Sequence, residues 1–222
     1  MSVLPRPAAS DRGVVLRVWP TGETSTVASV LTAEHGLVRL PAKGARQTRS
    51  RLRPLVQPGR LVELEFSLDP ARELQFLRGG GLLRDPLAAA PTLEKSAYLQ
   101  AALELVDRCR PGHGHETGLF PLCHGFLEVL SCAGPGREAA LFYAFETALL
   151  DLLGTGPELA GCVHCGRDRD DLAGGGLWFS PAGGGLVCGD CARAQGVAGA
   201  RPLTAASLAL WPELAAAPRR WP

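Results

Sequence analysis

Two C-x2-C pairs, Cys162-Val163-His164-Cys165 and Cys188-Gly189-Asp190-Cys191, stand 22 residues apart and constrain this chain more than any other feature. Each short knuckle offers two thiolates to one ion, and an interval of about twenty residues suffices for a hairpin that brings the knuckles together around a tetrahedral centre. Leu177-Trp178-Phe179 and Leu186-Val187 read as the two short strands of that hairpin, with turns at the glycine runs 174–176 and 183–185. The expectation is a ribbon over about 160–195 in which Cys162, Cys165, Cys188 and Cys191 hold one structural Zn(II) per chain. Four thiolates fill the tetrahedron and leave no place for water or substrate, so the metal should hold rather than catalyse. His164 inside the first knuckle is a possible substitute ligand and is read as a bystander, and thiol redox is the competing chemistry for such pairs.

Cysteine usage also bears on location. Seven cysteines and an amino end without a long apolar run point to a reducing compartment, hence a cytoplasmic protein with no membrane span. The formal net charge of +1 hides an asymmetry: residues 1–85 carry a net +5 and residues 86–222 a net −4. Basic charge concentrates further in Arg39, Lys43, Arg46, Arg49, Arg51, Arg53 and Arg60, a span without a single acid, as a phosphate-backbone partner would require.

The period of the apolar residues divides the chain. Gly13–Trp19, Thr26–Leu31, Gly36–Leu40, Leu61–Phe66 and Glu73–Leu77 read as five short strands, with Phe66 and Phe76 in the core and Trp19 left as the one stacking platform. The basic segment between Pro41 and Pro58 reads as a loop, and five strands in about 80 residues suit an OB-type barrel. The glycine run 79–81 and Asp85-Pro86 read as the boundary. Beyond it, helices are expected after a Thr92 cap, with Tyr98, Ala101, Ala102, Leu105 and Val106 on one stripe, then over 116–132 and 137–153, and finally from a Thr204 cap to Ala217 with Pro212 kinking or splitting it. The fold class is therefore α+β: an OB barrel over 1–82, then a helical domain over 83–222 into which the zinc ribbon is inserted.

No P-loop, nucleophile elbow or H-E-x-x-H sequence is present, so no local motif supports an enzyme or a small-molecule substrate. Cys109, His113, His115, Cys123 and His124 form a loose second group whose spacing fits no common metal pattern and reads as buried cysteines beside a histidine-bearing loop. The basic loop is the functional candidate, with Arg39, Lys43, Arg46, Arg49, Arg51 and Arg53 as DNA contacts, mainly electrostatic and tolerant of sequence.

Several stretches in this order carry a resemblance. Val15-Leu16-Arg17, Gly22-Glu23, Leu31–Gly36, Ala42–Arg46 and Ser50-Arg51 look like the amino-terminal barrel of the bacterial recombination mediator family RecO. Phe145-Glu146, Leu149-Leu150, Leu153-Gly154, the first knuckle with Gly166, Phe179-Ser180-Pro181 and the second knuckle resemble its carboxyl part. The resemblance implies a non-catalytic protein that binds single- and double-stranded DNA, anneals complementary strands and works with RecR to help RecA replace SSB, nucleoid-associated when on DNA. It also implies DNA contact by Lys43, Arg46 and Arg51, in a chain with Gln47 where another basic residue is common. A zinc-dependent or thiol-redox enzyme and an RNA-binding barrel protein remain the alternatives.

Overall fold

The computed structural model describes residues 8–69, 71–88, 91–109, 118–172, 176–195 and 199–222. Its first five strands are β1 (Ala8–Thr21), β2 (Ser25–Thr32), β3 (Gly36–Ala42), β4 (Leu61–Ser67) and β5 (Phe76–Arg84), in the antiparallel order β3-β2-β1-β4-β5. β1 is long because it serves two neighbours: its first half pairs with β4, from Ala8 opposite Ser67 to Val14 opposite Leu61, and its second half continues along β2 to Thr21 opposite Ser25. A register shift between Val15 and Arg17 sits where the strand changes partner, as a bulge that coils a strand should. Arg39 bridges Leu74 in parallel, and the Gln75 N–H donates to the Arg39 carbonyl at 2.8 Å, which closes β3 onto the approach to β5. The result is an OB-type barrel filled by Val15, Ala28, Val30, Leu40, Val62, Leu64 and Phe66.

The fifth strand begins and ends later than the sequence suggests. Glycines 79–81 lie inside β5 instead of marking its end. At Gly80, with φ of 148°, an added Cβ would stand 2.0 Å from the Glu63 carbonyl oxygen, so β4 and β5 approach here closer than any side chain permits. Phase differs too: Leu77 packs on the barrel interior while Phe76 is 40% exposed, which corrects its expected place in the core. A register shift between Glu65 and Phe66 accompanies this change of face.

The contacts divide the chain into two compact units, Met1–Phe145 with Arg220–Pro222, and Glu146–Arg219. In the first unit, α1 (Leu93–Arg108) starts where expected: the Thr92 hydroxyl accepts the Lys95 N–H at 3.1 Å. Its buried face is Leu99, Ala102, Leu103 and Val106, so the apolar stripe is rotated from the expected one, with Tyr98 and Leu105 at its margin. α2 (Leu119–Cys132) follows, and α3 (Glu138–Leu152) begins here. The expected start of α2 at Glu116 lies outside the described residues. Phe126, Phe142 and Phe145 form the aromatic centre, with Phe126 and Phe145 centroids 4.8 Å apart and Trp221 6.0 Å from Phe126. Both α1 and α2 lie against β1, where Val14 and Leu16 are buried outside the barrel interior.

The second unit holds β6 (Leu177–Ser180), β7 (Gly185–Cys188), α4 (Gly189–Gln195), β8 (Arg201–Leu203) and α5 (Ala205–Ala216). β6 pairs with β7 as the expected hairpin, and β8 adds a third strand on its other edge. α5 is capped by Thr204, whose hydroxyl accepts the Ser207 N–H at 3.0 Å, and it runs through Pro212 without splitting. The loss there is one bond to the Leu208 carbonyl, tolerable in a helix with no buried residue.

Candidate metal centre and basic face

Local turns place the four cysteines. Gly166, at φ 72°, lets the chain reverse after Cys165 so that its N–H donates to the Cys162 carbonyl at 2.8 Å. The second knuckle is the end of β7 running into α4, and the Cys188 N–H donates to Cys162 Sγ at 3.3 Å. All four Sγ atoms lie within 4.8 Å of one another, and Cys165 and Cys188 are 3.8 Å apart. A tetrahedron with metal–sulfur bonds of about 2.3 Å has edges of about 3.8 Å, so the quartet has the dimensions of a thiolate metal site. Cys162 and Cys188 are buried, Cys165 is exposed, and a small apolar core of Leu172 and Val187 backs the site.

The thiols are electrostatically unequal. Burial tends to raise Cys162, but N–H groups of Cys188, Cys165 and His164 outweigh it and bring the thiol down to about 6. Cys191 is pushed up to about 12, first by its hydrogen bond with Cys188 and then by desolvation and its other neighbours in the quartet. Such a set cannot hold four negative charges unaided, and a divalent cation removes the conflict. Asp190 crosses between knuckles, meeting Arg167 at 3.1 Å and Arg193 at 2.7 Å. His164 is exposed and stands outside the quartet.

Among the described residues no second group of this kind forms. Cys123 is fully buried and its thiol is pushed up to about 12 by burial, which makes it a small hydrophobe. His124 stacks on Phe120 at 5.8 Å and lies 3.7 Å from Glu128. His113 and His115 lie outside the described residues.

On the barrel, the basic segment is a fixed connection. Ala45, Leu55 and Val56 belong to the barrel core, with Leu52 packed against it and a 3-10 turn at Arg53–Leu55. The Arg46 N–H donates to the Thr24 carbonyl at 2.9 Å, and its guanidinium reaches the Glu23 carbonyl at 3.1 Å, tying the segment to the β1–β2 turn. Lys43, Arg46, Arg49, Arg51 and Arg53 are all exposed between these anchors, and among the described residues none has a carboxylate partner. Arg39 is set apart: it pairs with Glu73 beside the barrel closure. Arg60 is likewise engaged, with Asp85 at 2.9 Å and the Pro54 carbonyl at 2.9 Å. Sequence alone could not separate these two from the other five, because their partners lie 34 and 25 positions away.

Barrel, helices and cysteine ribbon together define a small OB-type barrel joined to a helical, cysteine-knuckle module, and among the described residues no helix is long and apolar enough to cross a bilayer. Two family models cover almost the whole of it, Recombination protein O N terminal over residues 7–85 and Recombination protein O C terminal over residues 90–220. The chain belongs to the RecO family. Proteins named DNA repair protein RecO are similar to it at 35% identity in Anaeromyxobacter sp. (strain K), over 89% of this chain and 75% of that one, and at 32% in Exiguobacterium sp., over 79% and 67%.

Proposed function

We propose that this chain is a non-catalytic DNA repair protein that grips DNA backbones with its barrel and promotes recombination by annealing complementary strands. One observation carries the reading: five exposed cations without a carboxylate partner among the described residues, Lys43, Arg46, Arg49, Arg51 and Arg53, project from a segment whose apolar residues are locked into an OB-type barrel. Fixed cations bind a polyanion without ordering a loop first, and they attract two strands while leaving bases free to pair. Arg39 contributes less, its guanidinium being held by Glu73. Membership of the RecO family supports RecR and SSB as protein partners, a cytoplasmic and nucleoid location, and a barrel domain over 1–82 that acts as the DNA-binding part. Zn(II) is the ion proposed for the quartet, because all-thiolate tetrahedra suit it and a closed shell suits a structural role.

Charge reversal tests the reading. Arg46→Glu, Arg49→Glu and Arg51→Glu together are expected to weaken single-strand binding at least a hundredfold in a filter titration, and to abolish annealing of complementary oligonucleotides. For the parent, neutralising about three to five phosphates predicts a log–log salt slope of about −2 to −3.5 on single strands. Full affinity in the folded triple variant sinks the proposal.

A further inference from the structure

Trp19 is the one barrel aromatic that is neither core nor part of β5, and its surroundings are built. Arg17 and Trp19 are two apart on the outer face of β1, just past the bulge, and the Arg17 guanidinium carbon stands over the indole at 6.0 Å from its centroid. Asp107 near the end of α1 steadies the same guanidinium at 3.9 Å through Oδ2, while its Oδ1 accepts the Ser29 hydroxyl at 2.7 Å. Ser29 is the residue opposite Arg17 across the strand pair, so strand, helix and carboxylate fix one cation from two sides. Despite this, the Arg17 side chain remains 69% exposed. An isolated surface arginine would sample many rotamers. This one has an aromatic plane behind it, a carboxylate beside it and an open side toward solvent.

The geometry points to Arg17, backed by Trp19, as a stacking platform for one unpaired nucleobase of a single strand whose phosphates lie on the basic segment. A guanidinium is planar and weakly hydrated, so a base stacks on it as on a ring, and the indole behind adds a cation–π contact to the same plane. Continuity is physical: the β1–β2 turn follows Trp19 by a few residues, and its Glu23 carbonyl is where Arg46 is tied. A strand running over Arg46 therefore reaches Arg17 without leaving the barrel. A duplex keeps its bases stacked inside and cannot use the platform, so the site favours single strands. This inference rests on the proposed DNA-binding role.

Arg17→Lys keeps the charge and removes the plane, which separates stacking from electrostatics. With a dT-rich strand containing one 2-aminopurine, Arg17→Lys is expected to lower single-strand affinity about fivefold and to remove most of the binding-induced fluorescence change. Duplex affinity should move less than twofold. Trp19→Ala should give the same pattern, and Trp19→Phe should restore most of it. The inference is overturned if Arg17→Lys matches the parent on single strands, or if single-strand and duplex affinities fall together. Should the triple charge-reversed variant bind normally, the underlying DNA reading fails first.

Discussion

Asp11 shows how one side chain sets a barrel corner. It is 6% exposed, yet its carboxylate accepts the N–H groups of Arg12, Glu34 and His35 and lies 2.8 Å from His35 Nδ1. Burial acts to raise its pKa, but the His35 ring, the N–H groups of Glu34 and Arg12 and the Thr32 hydroxyl outweigh burial and hold the carboxyl below its ordinary 3.8. Because the folded value is the lower one, the group stabilises the fold above its unfolded pKa, and that contribution is lost as pH falls through the folded value. Asp11→Asn is expected to cost about 1–3 kcal/mol at pH 7, since it leaves donors aimed at a neutral group. The gap from the parent in urea unfolding should narrow below about pH 4. A gap that stays constant with pH would show that the charge is irrelevant. Nothing in the sequence announced this role, because Glu34 and His35 lie more than twenty positions from Asp11 and a lone aspartate at a strand start reads as solvated.

Among elements, those that depend on neighbours in sequence were the legible ones. Thr92 and Thr204 cap α1 and α5 as expected because a hydroxyl and an N–H three residues on make a local contact. The alternation of Val62, Leu64 and Phe66 against Glu63 and Glu65 marked β4 for the same reason. β5 was misplaced because a glycine run reads as a turn, whereas here the glycines answer a demand made by the partner strand. β8 was missed since Arg201-Pro202-Leu203 has no period to find and exists only as an edge to β6. The β4–β5 contact makes a direct prediction. Gly80→Ala adds a methyl against the Glu63 carbonyl in a backbone conformation that favours glycine, at a cost of about 2–5 kcal/mol. Gly81→Ala, one residue on, meets nothing within 4 Å and should cost under about 1 kcal/mol. Equal denaturation midpoints for the two variants would contradict the close approach.

At the scale of the whole molecule, the feature most visible in the sequence and the feature proposed to bind DNA fall in different compact units. The cysteine quartet belongs to Glu146–Arg219, and the basic segment to Met1–Phe145 with Arg220–Pro222. The quartet was legible because cysteines at the fixed spacing a metal site needs are a local code. Which arginines lack a carboxylate partner among the described residues was not, because that depends on Glu73 and Asp85 folding back onto Arg39 and Arg60. If the metal is structural, the two parts should respond differently to its loss. Among the described residues the ribbon's buried apolar core is small, Leu172 and Val187 with two buried cysteines and Leu186 beside them on β7, too little to hold three short strands without a cross-link. Chelation, or Cys188→Ser, is therefore expected to lower the melting temperature and to abolish amide-exchange protection in β6 and β7. Protection in β1–β4 should persist, and single-strand DNA affinity at matched salt should change less than about threefold. Retained protection in β6 and β7 after complete metal removal would show that the hydrophobic residues suffice. A DNA affinity that collapses with the metal would place the ribbon in the binding surface and overturn the division of roles.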